Sequence, residues 1–320
     1  MTINAVARSV FATFIAVAAL AATTSPAFAT FPGQNGKIAV SCAFCADRAS
    51  PYSGIVLFDA AASWSPEALD VSKATSPAWS PDGTALAYTA EASAFSSIRL
   101  ALGDASLAGI GPSGFCSACG SSEPAFSPDG KRVFFSFVDL LDETANGMFI
   151  TPTDGGAPVR LTSGGVKWSV LSRASWSPDG STILHDGDDG ITAVNAVTGA
   201  QQRLTDGRSP DWSPDGRSFT FSRTVGGNAD IYLAVVENCN GLRIKRVRRL
   251  THNPAADTEP SWSPDGRSIA FVSERDGHDE LYLMRPHGHR ERRLTNAVYD
   301  TVWSSWPTMD SVAWQPLPRH

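Results

Sequence analysis

The sequence lacks an excess of positive charge. Lysine and arginine together number 26 against 32 aspartates and glutamates, which gives a formal net charge of −6. A protein that binds nucleic acid depends on basic side chains to neutralise phosphates, so this balance argues against a nucleic-acid partner. Glycine and proline, in contrast, are plentiful at 27 and 21 residues. That composition is typical of short strands joined by tight turns rather than of a helical bundle.

The sequence also lacks the common catalytic and nucleotide-binding motifs. It contains no HExxH, no GxSxG and no GxxxxGK[ST], and its one GxGxxG, at residues 109–114, has no predicted helix after it. These absences favour a non-catalytic protein. They leave enzymatic activity as an alternative hypothesis, because isolated carboxylates can catalyse reactions without any of these motifs.

The only long apolar run lies at the N-terminus. It covers residues 10–22, follows the single charge of Arg8, and precedes the small–x–small sequence Ala27-Phe28-Ala29. This is the pattern of a signal peptide, and the run is too short to cross a bilayer comfortably. We therefore predict cleavage after Ala29, export to the periplasm or the exterior, and one domain over residues 30–320 that does not span the membrane.

A repeat built on an aromatic residue followed by Ser-Pro-Asp-Gly occurs five times. The aromatic anchors are spaced 47, 50, 36 and 50 residues apart, and a sixth follows 52 residues later in a Trp-Gln-Pro variant. A period of this size indicates one supersecondary unit per repeat. The anchors are Trp79, Phe126, Trp176, Trp212, Trp262 and Trp314.

Each repeat predicts four antiparallel strands. Proline, aspartate and glycine suit a tight turn between two strands, and two further alternating segments follow in most units. The N-terminal unit lacks its aromatic strand, whereas the C-terminus has one left over at Val312–Trp314. Pairing these two ends would close a ring of six four-stranded blades, an all-β propeller without a free edge.

The repeated WSPDG turn resembles the TolB-like β-propeller repeat family, which is WD-repeat-like. The resemblance covers about residues 31–316, and THNPAADTEPSWSPDG at 251–266 is especially similar. TolB itself carries an α/β domain ahead of its propeller, and this sequence is similar to the propeller alone, without that N-terminal domain. The resemblance implies a protein-binding scaffold.

Acidic residues cluster in the segments predicted to surround the channel mouth, the rim where the first strand of each blade begins. They could attract a basic peptide or hold Ca²⁺. They could equally satisfy their own turns and face water. No metal site is predicted, and Ca²⁺ in the channel is kept as an alternative. His185 is expected to pack in a strand, and His287-Gly-His289 is expected to lie in a solvated turn. The candidate binding residues are Glu123, Asp211, Asp257, Glu259, Asp276 and Asp300.

Four of the five cysteines form two CxxC pairs. Because export favours oxidation, we predict local disulfides Cys42–Cys45 and Cys116–Cys119. Pairing between the two loops and a zinc or redox role remain alternatives. Cys239 is left over and is expected to be free.

Three hypotheses about function follow from these features. The leading one is a monomeric, non-catalytic scaffold that binds a protein or peptide partner in the cell envelope, or outside the cell, at its acidic channel mouth. The second is an envelope hydrolase or lyase that uses the same carboxylates. The third is a structural envelope protein that binds anionic polymers through the basic outer strands near residues 243–249 and 290–293.

Overall fold

A computed structural model describes ten segments of the chain: residues 31–43, 53–60, 67–91, 96–102, 107–110, 119–163, 173–187, 189–238, 241–295 and 309–318. These segments contain twenty-four β-strands and one short 3-10 helix, Glu143–Ala145. The predicted all-β class is therefore confirmed. The predicted signal peptide lies outside the described residues.

The strands of the first half are β1 (Gln34–Ala43), β2 (Ser53–Asp59), β3 (Glu67–Ser72), β4 (Ala74–Trp79), β5 (Ala85–Glu91), β6 (Ser96–Leu102), β7 (Leu107–Ile110), β8 (Cys119–Phe126), β9 (Arg132–Asp139), β10 (Gly147–Pro152), β11 (Val159–Ser163) and β12 (Ala174–Trp176). Those of the second half are β13 (Thr182–Gly187), β14 (Gly190–Asn195), β15 (Gln201–Thr205), β16 (Arg208–Trp212), β17 (Ser218–Val225), β18 (Asn228–Asn238), β19 (Leu242–Arg249), β20 (Asp257–Trp262), β21 (Ile269–Ser273), β22 (Glu280–Met284), β23 (Arg292–Arg293) and β24 (Met309–Leu317).

The strands form antiparallel meanders in chain order, as expected for a β-propeller. Four sheets have four strands each, in the orders β24-β1-β2-β3, β12-β13-β14-β15, β16-β17-β18-β19 and β20-β21-β22-β23. The remaining sheet has eight strands, running from β4 through β6 to β8 and on to β11, with β7 beside β6. The sequence predicted separate four-stranded sheets here. The two halves are joined by one parallel pair, Ser96 with Gly120, which the Ser96 hydroxyl supports by donating to the Ser121 carbonyl at 3.1 Å.

The two ends of the chain meet in one sheet, as predicted. β24 pairs with β1 from Gln34 opposite Leu317 to Cys42 opposite Met309. The Gln315 side chain accepts the Lys37 N–H at 3.1 Å and donates to the Gly83 carbonyl at 2.8 Å. Strand pairing and this side chain together tie the C-terminal strand to the first and second sheets.

The Ser-Pro-Asp-Gly segments form tight turns, as the repeat predicted. In the turn of residues 177–180, the Gly180 N–H donates to the Ser177 carbonyl at 2.9 Å and Gly180 has a φ of 70°. The Ser177 hydroxyl donates to Asp179 at 2.6 Å. Burial opposes ionisation of Asp179, but hydrogen bonds from Ser177 and Ser181 outweigh it and lower the pKa of Asp179. Glycine is required here because its positive φ is unfavourable for other residues.

The hydrophobic core lies between neighbouring sheets. One cluster combines Ala125 and Phe134 with Trp176 and Ile183, and another combines Leu184 with Phe219. Some aromatic anchors also donate a hydrogen bond to the preceding sheet. The indole N–H of Trp176 donates to the Ala125 carbonyl at 3.0 Å, and that of Trp314 donates to the Ser261 carbonyl at 3.2 Å. The anchors therefore fix the spacing of successive innermost strands.

Trp176→Phe is expected to destabilise the protein by about 2 kcal/mol, because it leaves the Ala125 carbonyl without its indole donor and opens a small cavity. Trp79→Phe is the matched control. Within the described residues the indole N–H of Trp79 is buried without a hydrogen-bond partner, so its removal should cost about 1 kcal/mol less. Urea unfolding of both variants measures the difference, and equal losses of stability would contradict the assigned hydrogen bond.

Candidate functional site

The innermost strands β4, β8, β12, β16, β20 and β24 surround a central channel. Its cavity has a volume of about 80 Å³ and is lined by residues from all six strands. Charged side chains contribute to this lining although the space is small. They are Glu123, Arg173 and Asp211.

Four innermost strands each contain one residue with a strained backbone conformation. Ser76, Glu123, Ser209 and Glu259 have φ values of 50° to 58°, and each precedes a proline. The strand register shifts at all four positions. Left-handed backbone costs a non-glycine residue about 1–3 kcal/mol and persists where the surrounding structure fixes it. The signal for these bulges in the sequence is the proline that recurs two residues before the aromatic anchor.

The first charged group consists of Glu123, His185 and Asp186, which are all buried. His185 Nδ1 lies 3.3 Å from Glu123 Oε2, and one ligand atom of each of the three residues lies within 4.8 Å of the others. Burial disfavours the charged imidazole. The Glu123 carboxylate and the charge of Asp186 nevertheless outweigh it and raise the pKa of His185 above its usual range.

Asp186 is held in place by backbone groups from two other segments. Its Oδ1 accepts the Arg173 N–H at 3.1 Å, and its Oδ2 accepts the Ser209 N–H at 2.9 Å. The Ser209 hydroxyl in turn donates to Glu259 at 2.5 Å. Asp186 therefore joins the beginning of β12 to the beginning of β16.

The second charged group centres on Arg173. Its guanidinium donates to the Pro260 carbonyl and to the Ser261 hydroxyl, both at 3.1 Å, and lies 3.7 Å from Asp211 Oδ1. Asp211 also accepts the Trp262 N–H at 2.7 Å and the Ser175 hydroxyl at 3.2 Å. This network crosses the channel between β12, β16 and β20.

Arg173→Met should destabilise the protein by about 3 kcal/mol, because it removes the cation beside the buried Asp211 and leaves two acceptors on β20 unsatisfied. Arg203→Met is the control. Arg203 pairs with Asp206 at the surface, where both side chains are more than half exposed, so its loss should change stability by no more than about 0.5 kcal/mol. Thermal unfolding of both variants tests the assignment, and a neutral Arg173→Met would show that the network is not structural.

Two of the predicted mouth residues, Glu123 and Asp211, line the channel, and Glu259 lies beside it at an adjacent depression. The structure brings them together with Arg173, His185 and Asp186. His185 was expected to be a packing residue, and its contact with a carboxylate from another sheet could not be read from its own segment. Asp300 lies outside the described residues.

Asp257 is fully buried at the start of β20 and is bound to an arginine. Both of its carboxylate oxygens lie 3.1 Å from Arg275 Nη2. Arg275 also contacts Glu291 and packs over the ring of Tyr282 at 4.5 Å. Burial raises the pKa of Asp257 despite the hydrogen bonds from Ser273 and Arg275. The described contacts of Asp257 are therefore those of a residue that stabilises its own sheet.

Asp276 lies at the surface in the turn between β21 and β22. It accepts the Tyr282 hydroxyl at 2.5 Å and lies 3.3 Å from Arg293 Nη1. The hydrogen bond from Tyr282 lowers the pKa of Asp276. Burial and the same hydrogen bond raise the pKa of Tyr282 to about 12.

Asp276→Asn is expected to lower the pKa of Tyr282 from about 12 towards its ordinary 10.0, because the variant removes a negative charge beside the phenol. Burial remains, so part of the shift should persist. Ultraviolet titration of tyrosinate measures this, with Tyr282→Phe identifying the transition and Asp189→Asn as a surface control. An unchanged titration in Asp276→Asn would contradict the contact.

A wider depression lies beside the channel and is lined by the turns β13–β14 and β15–β16, by the facing ends of β17 and β18, and by β20. Its volume is about 760 Å³ and its rim carries charges of both signs. The charged residues that line it are Asp189, Arg203, Asp206, Arg208, Arg223 and Glu259.

The remaining predictions concern cysteine and histidine. Cys45, Cys116 and Cys239 lie outside the described residues, and the side chains of Cys42 and Cys119 are likewise not described, so both disulfides stay predictions. His287 and His289 are exposed, as expected for a solvated turn, and line an open outer depression with His252. Ca²⁺ in the channel also stays a prediction.

Comparison with known proteins identifies the repeat. Residues 205–311 match the family model of the TolB β-propeller domain. Over these residues the chain is similar to the TolB-like β-propeller repeat. This confirms the resemblance predicted from the WSPDG turns.

The similar proteins support the same fold over more of the chain. TolB from Acinetobacter baumannii superposes with a TM-score of 0.64 at 21% identity, covering 88% of this chain and 67% of that one. A structure from Agrobacterium tumefaciens, provisionally assigned as TolB, has a TM-score of 0.55 at 22% identity and covers 81% and 88%. At these identities the superpositions show the propeller fold alone.

One curated relative has a closer sequence. The uncharacterized protein Atu1656 of Agrobacterium fabrum is 30% identical over 177 residues, which is 52% of this chain. The match spans 57% of Atu1656, a little over half its length.

The described residues include no helix that is both long and apolar enough to cross a membrane.

Proposed function

We propose that this protein is a secreted or periplasmic, non-catalytic scaffold that binds a protein or peptide at its channel-mouth face. This face is the end of the sheets at which the innermost strands begin. We define it by four residues: Asp189, Arg208, Glu259 and Asp276. The observation that carries the proposal is the depression of about 760 Å³ on this face. It is much larger than the channel cavity of about 80 Å³. A ligand of polypeptide size therefore fits the face and not the channel.

The charges on this face are suited to a polypeptide partner. Asp189 and Asp276 are exposed and Glu259 is half-buried, so acidic groups reach the surface even though Asp211 and Asp257 are held in internal contacts. Arg208 is exposed at the same rim and, among the described residues, its side chain has no partner. Charges of both signs at a rim select partners with the opposite arrangement and accelerate association.

We also propose that the propeller has six blades, with the eight-stranded sheet counted as two. Contacts between successive turns support this number. A Cβ on Gly130 would lie 3.5 Å from Pro81, and the same glycine–proline neighbours recur in the next three turns. The ring is completed where Gly33 donates to the Pro264 carbonyl at 3.3 Å and where Gly83 approaches Pro316.

The hydrolase or lyase alternative finds less support. It would use channel carboxylates, of which Glu123 and Asp211 line the cavity. The cavity of about 80 Å³ accommodates only a few water-sized groups, whereas small-molecule sites usually have volumes of about 300–1,000 Å³. The anionic-polymer alternative rests on the basic outer strands near residues 243–249 and 290–293. Lys245 and Arg249 already pair there with Glu237 and Asp230, and Arg293 pairs with Asp276.

Photo-cross-linking from two positions tests where a partner binds. A photoreactive residue at Asp189 faces the depression, whereas one at Val197 lies in the turn between β14 and β15, at the opposite ends of the strands. In an envelope extract we expect a defined protein adduct from position 189 that excess unlabelled protein competes away, and none from position 197. Equal adducts from both positions, or none from either, would overturn the proposed face.

Charge reversal then tests the affinity for the partner so identified. Arg208→Glu should weaken binding at least tenfold, about 1.4 kcal/mol, because it places a like charge beside Glu259 and Asp189 and removes the unpaired cation. Arg217→Glu is the control, since Arg217 is exposed beside the Ser-Pro-Asp-Gly turn at the other end of β16. Calorimetric titration measures both variants, and equal affinities would argue against the rim.

A further inference from the structure

Glu123, His185 and Asp186 supply one imidazole nitrogen and two carboxylates from two different sheets. All three side chains are buried, and His185 is only 5% exposed. A buried charge is costly unless it is paired, hydrogen-bonded or bound to a metal. Imidazole with carboxylates is a donor set that zinc and related transition metals use in proteins.

The distances also suit ligands of one ion. His185 Nδ1 lies 3.3 Å from Glu123 Oε2, an ion-pair contact that does not reach the geometry of a hydrogen bond. A charge-assisted N–H···O bond is shorter, about 2.7–2.9 Å. Two ligands at tetrahedral positions around Zn²⁺, each about 2.1 Å from it, lie about 3.4 Å apart. The third ligand atom lies within 4.8 Å of the other two, so a small movement would complete the set.

The surroundings hold one of these ligands in place. Asp186 accepts backbone N–H groups of Arg173 and Ser209 at 3.1 and 2.9 Å, which orient its carboxylate and leave further lone pairs for an ion. The Arg173 guanidinium is directed to Asp211, Pro260 and Ser261, and Arg173 reaches Asp186 through its backbone. Glu123 lines the channel, which gives an ion a path to the group.

We propose that Glu123, His185 and Asp186 form a binding site for a divalent transition-metal ion of the Zn²⁺ type. Two carboxylates balance its charge, and the imidazole favours such an ion over Ca²⁺, which prefers six to eight oxygen ligands. With three protein ligands, a fourth position remains for water or a group from the channel. The site links β8 of one sheet to β13 of the next, so an ion would brace two neighbouring sheets. This inference stands independently of the proposed scaffold function.

Co²⁺ serves as the spectroscopic probe of this site in the purified full chain. We expect one Co²⁺ per chain, with visible bands of nitrogen and oxygen ligation and no thiolate charge-transfer band, displaced by Zn²⁺ and not by Ca²⁺. His185→Gln and Asp186→Asn should each weaken Co²⁺ binding at least tenfold. His278→Gln is the matched control. His278 also contacts a buried carboxylate, Glu280 at 2.9 Å, but within the part of the chain that the structure describes it belongs to no such three-residue group.

The double variant His287→Gln, His289→Gln controls for exposed histidines and should bind Co²⁺ like the parent. The proposal is overturned if His185→Gln binds Co²⁺ as tightly as the parent, if the controls lose binding, if a thiolate band appears, or if Ca²⁺ displaces the ion. If His185→Gln and Asp186→Asn fail to fold, anomalous scattering from Co²⁺-soaked crystals of the parent decides. A peak within bonding distance of His185 supports the site, and its absence rejects it.

Discussion

The contact between successive innermost strands is the constraint on which the rest of this structure depends. A buried aromatic anchor from one sheet packs against the preceding sheet, and in two sheets its indole N–H also reaches a carbonyl of the preceding innermost strand. The turn glycine that follows the anchor sits against the proline of the preceding turn. Because both contacts recur with the repeat, they place the strand beginnings at one rim of the channel, close to the candidate functional residues that the structure describes.

This placement brings charged groups into a narrow space. There they bind one another or backbone groups of neighbouring strands. Asp211 uses Arg173 and the backbone of β20, while Asp257 uses Arg275. A carboxylate bound in this way stabilises the propeller and has few lone pairs left for a partner. The recognition surface that we propose therefore lies further out, at the depression where Asp189 and Arg208 are exposed.

The strained bulges connect these two roles. Each one places a residue with positive φ before a proline within an innermost strand. Glu123 gains its position beside His185 from such a bulge, and Ser209 gains its contacts with Asp186 and Glu259 from another. The backbone strain is balanced by contacts that exist only when neighbouring sheets are assembled, so the rim depends on the whole ring.

The sequence by itself determined the repeating unit, because each part of that unit is local. Proline, aspartate and glycine define the turn, alternation defines the strands, and the aromatic anchor recurs at a regular period; Trp176 and Gly180 are in the predicted places. Even the pairing of β24 with β1 followed from counting strands at the two ends. The joining of two sheets through Ser96 and Gly120 could not be predicted from the sequence, because it depends on a single residue pair.

Only the tertiary structure decided which acidic residues are accessible and which meet a partner. From the sequence, Asp257 and Asp276 were both expected in loops at the channel mouth. Asp257 is buried against Arg275, whereas Asp276 lies at the surface beside Tyr282. His185 meets Glu123 only because two sheets far apart in the chain lie side by side. Charge pairing of this kind depends on distances between sheets, and no local pattern of residues encodes those distances.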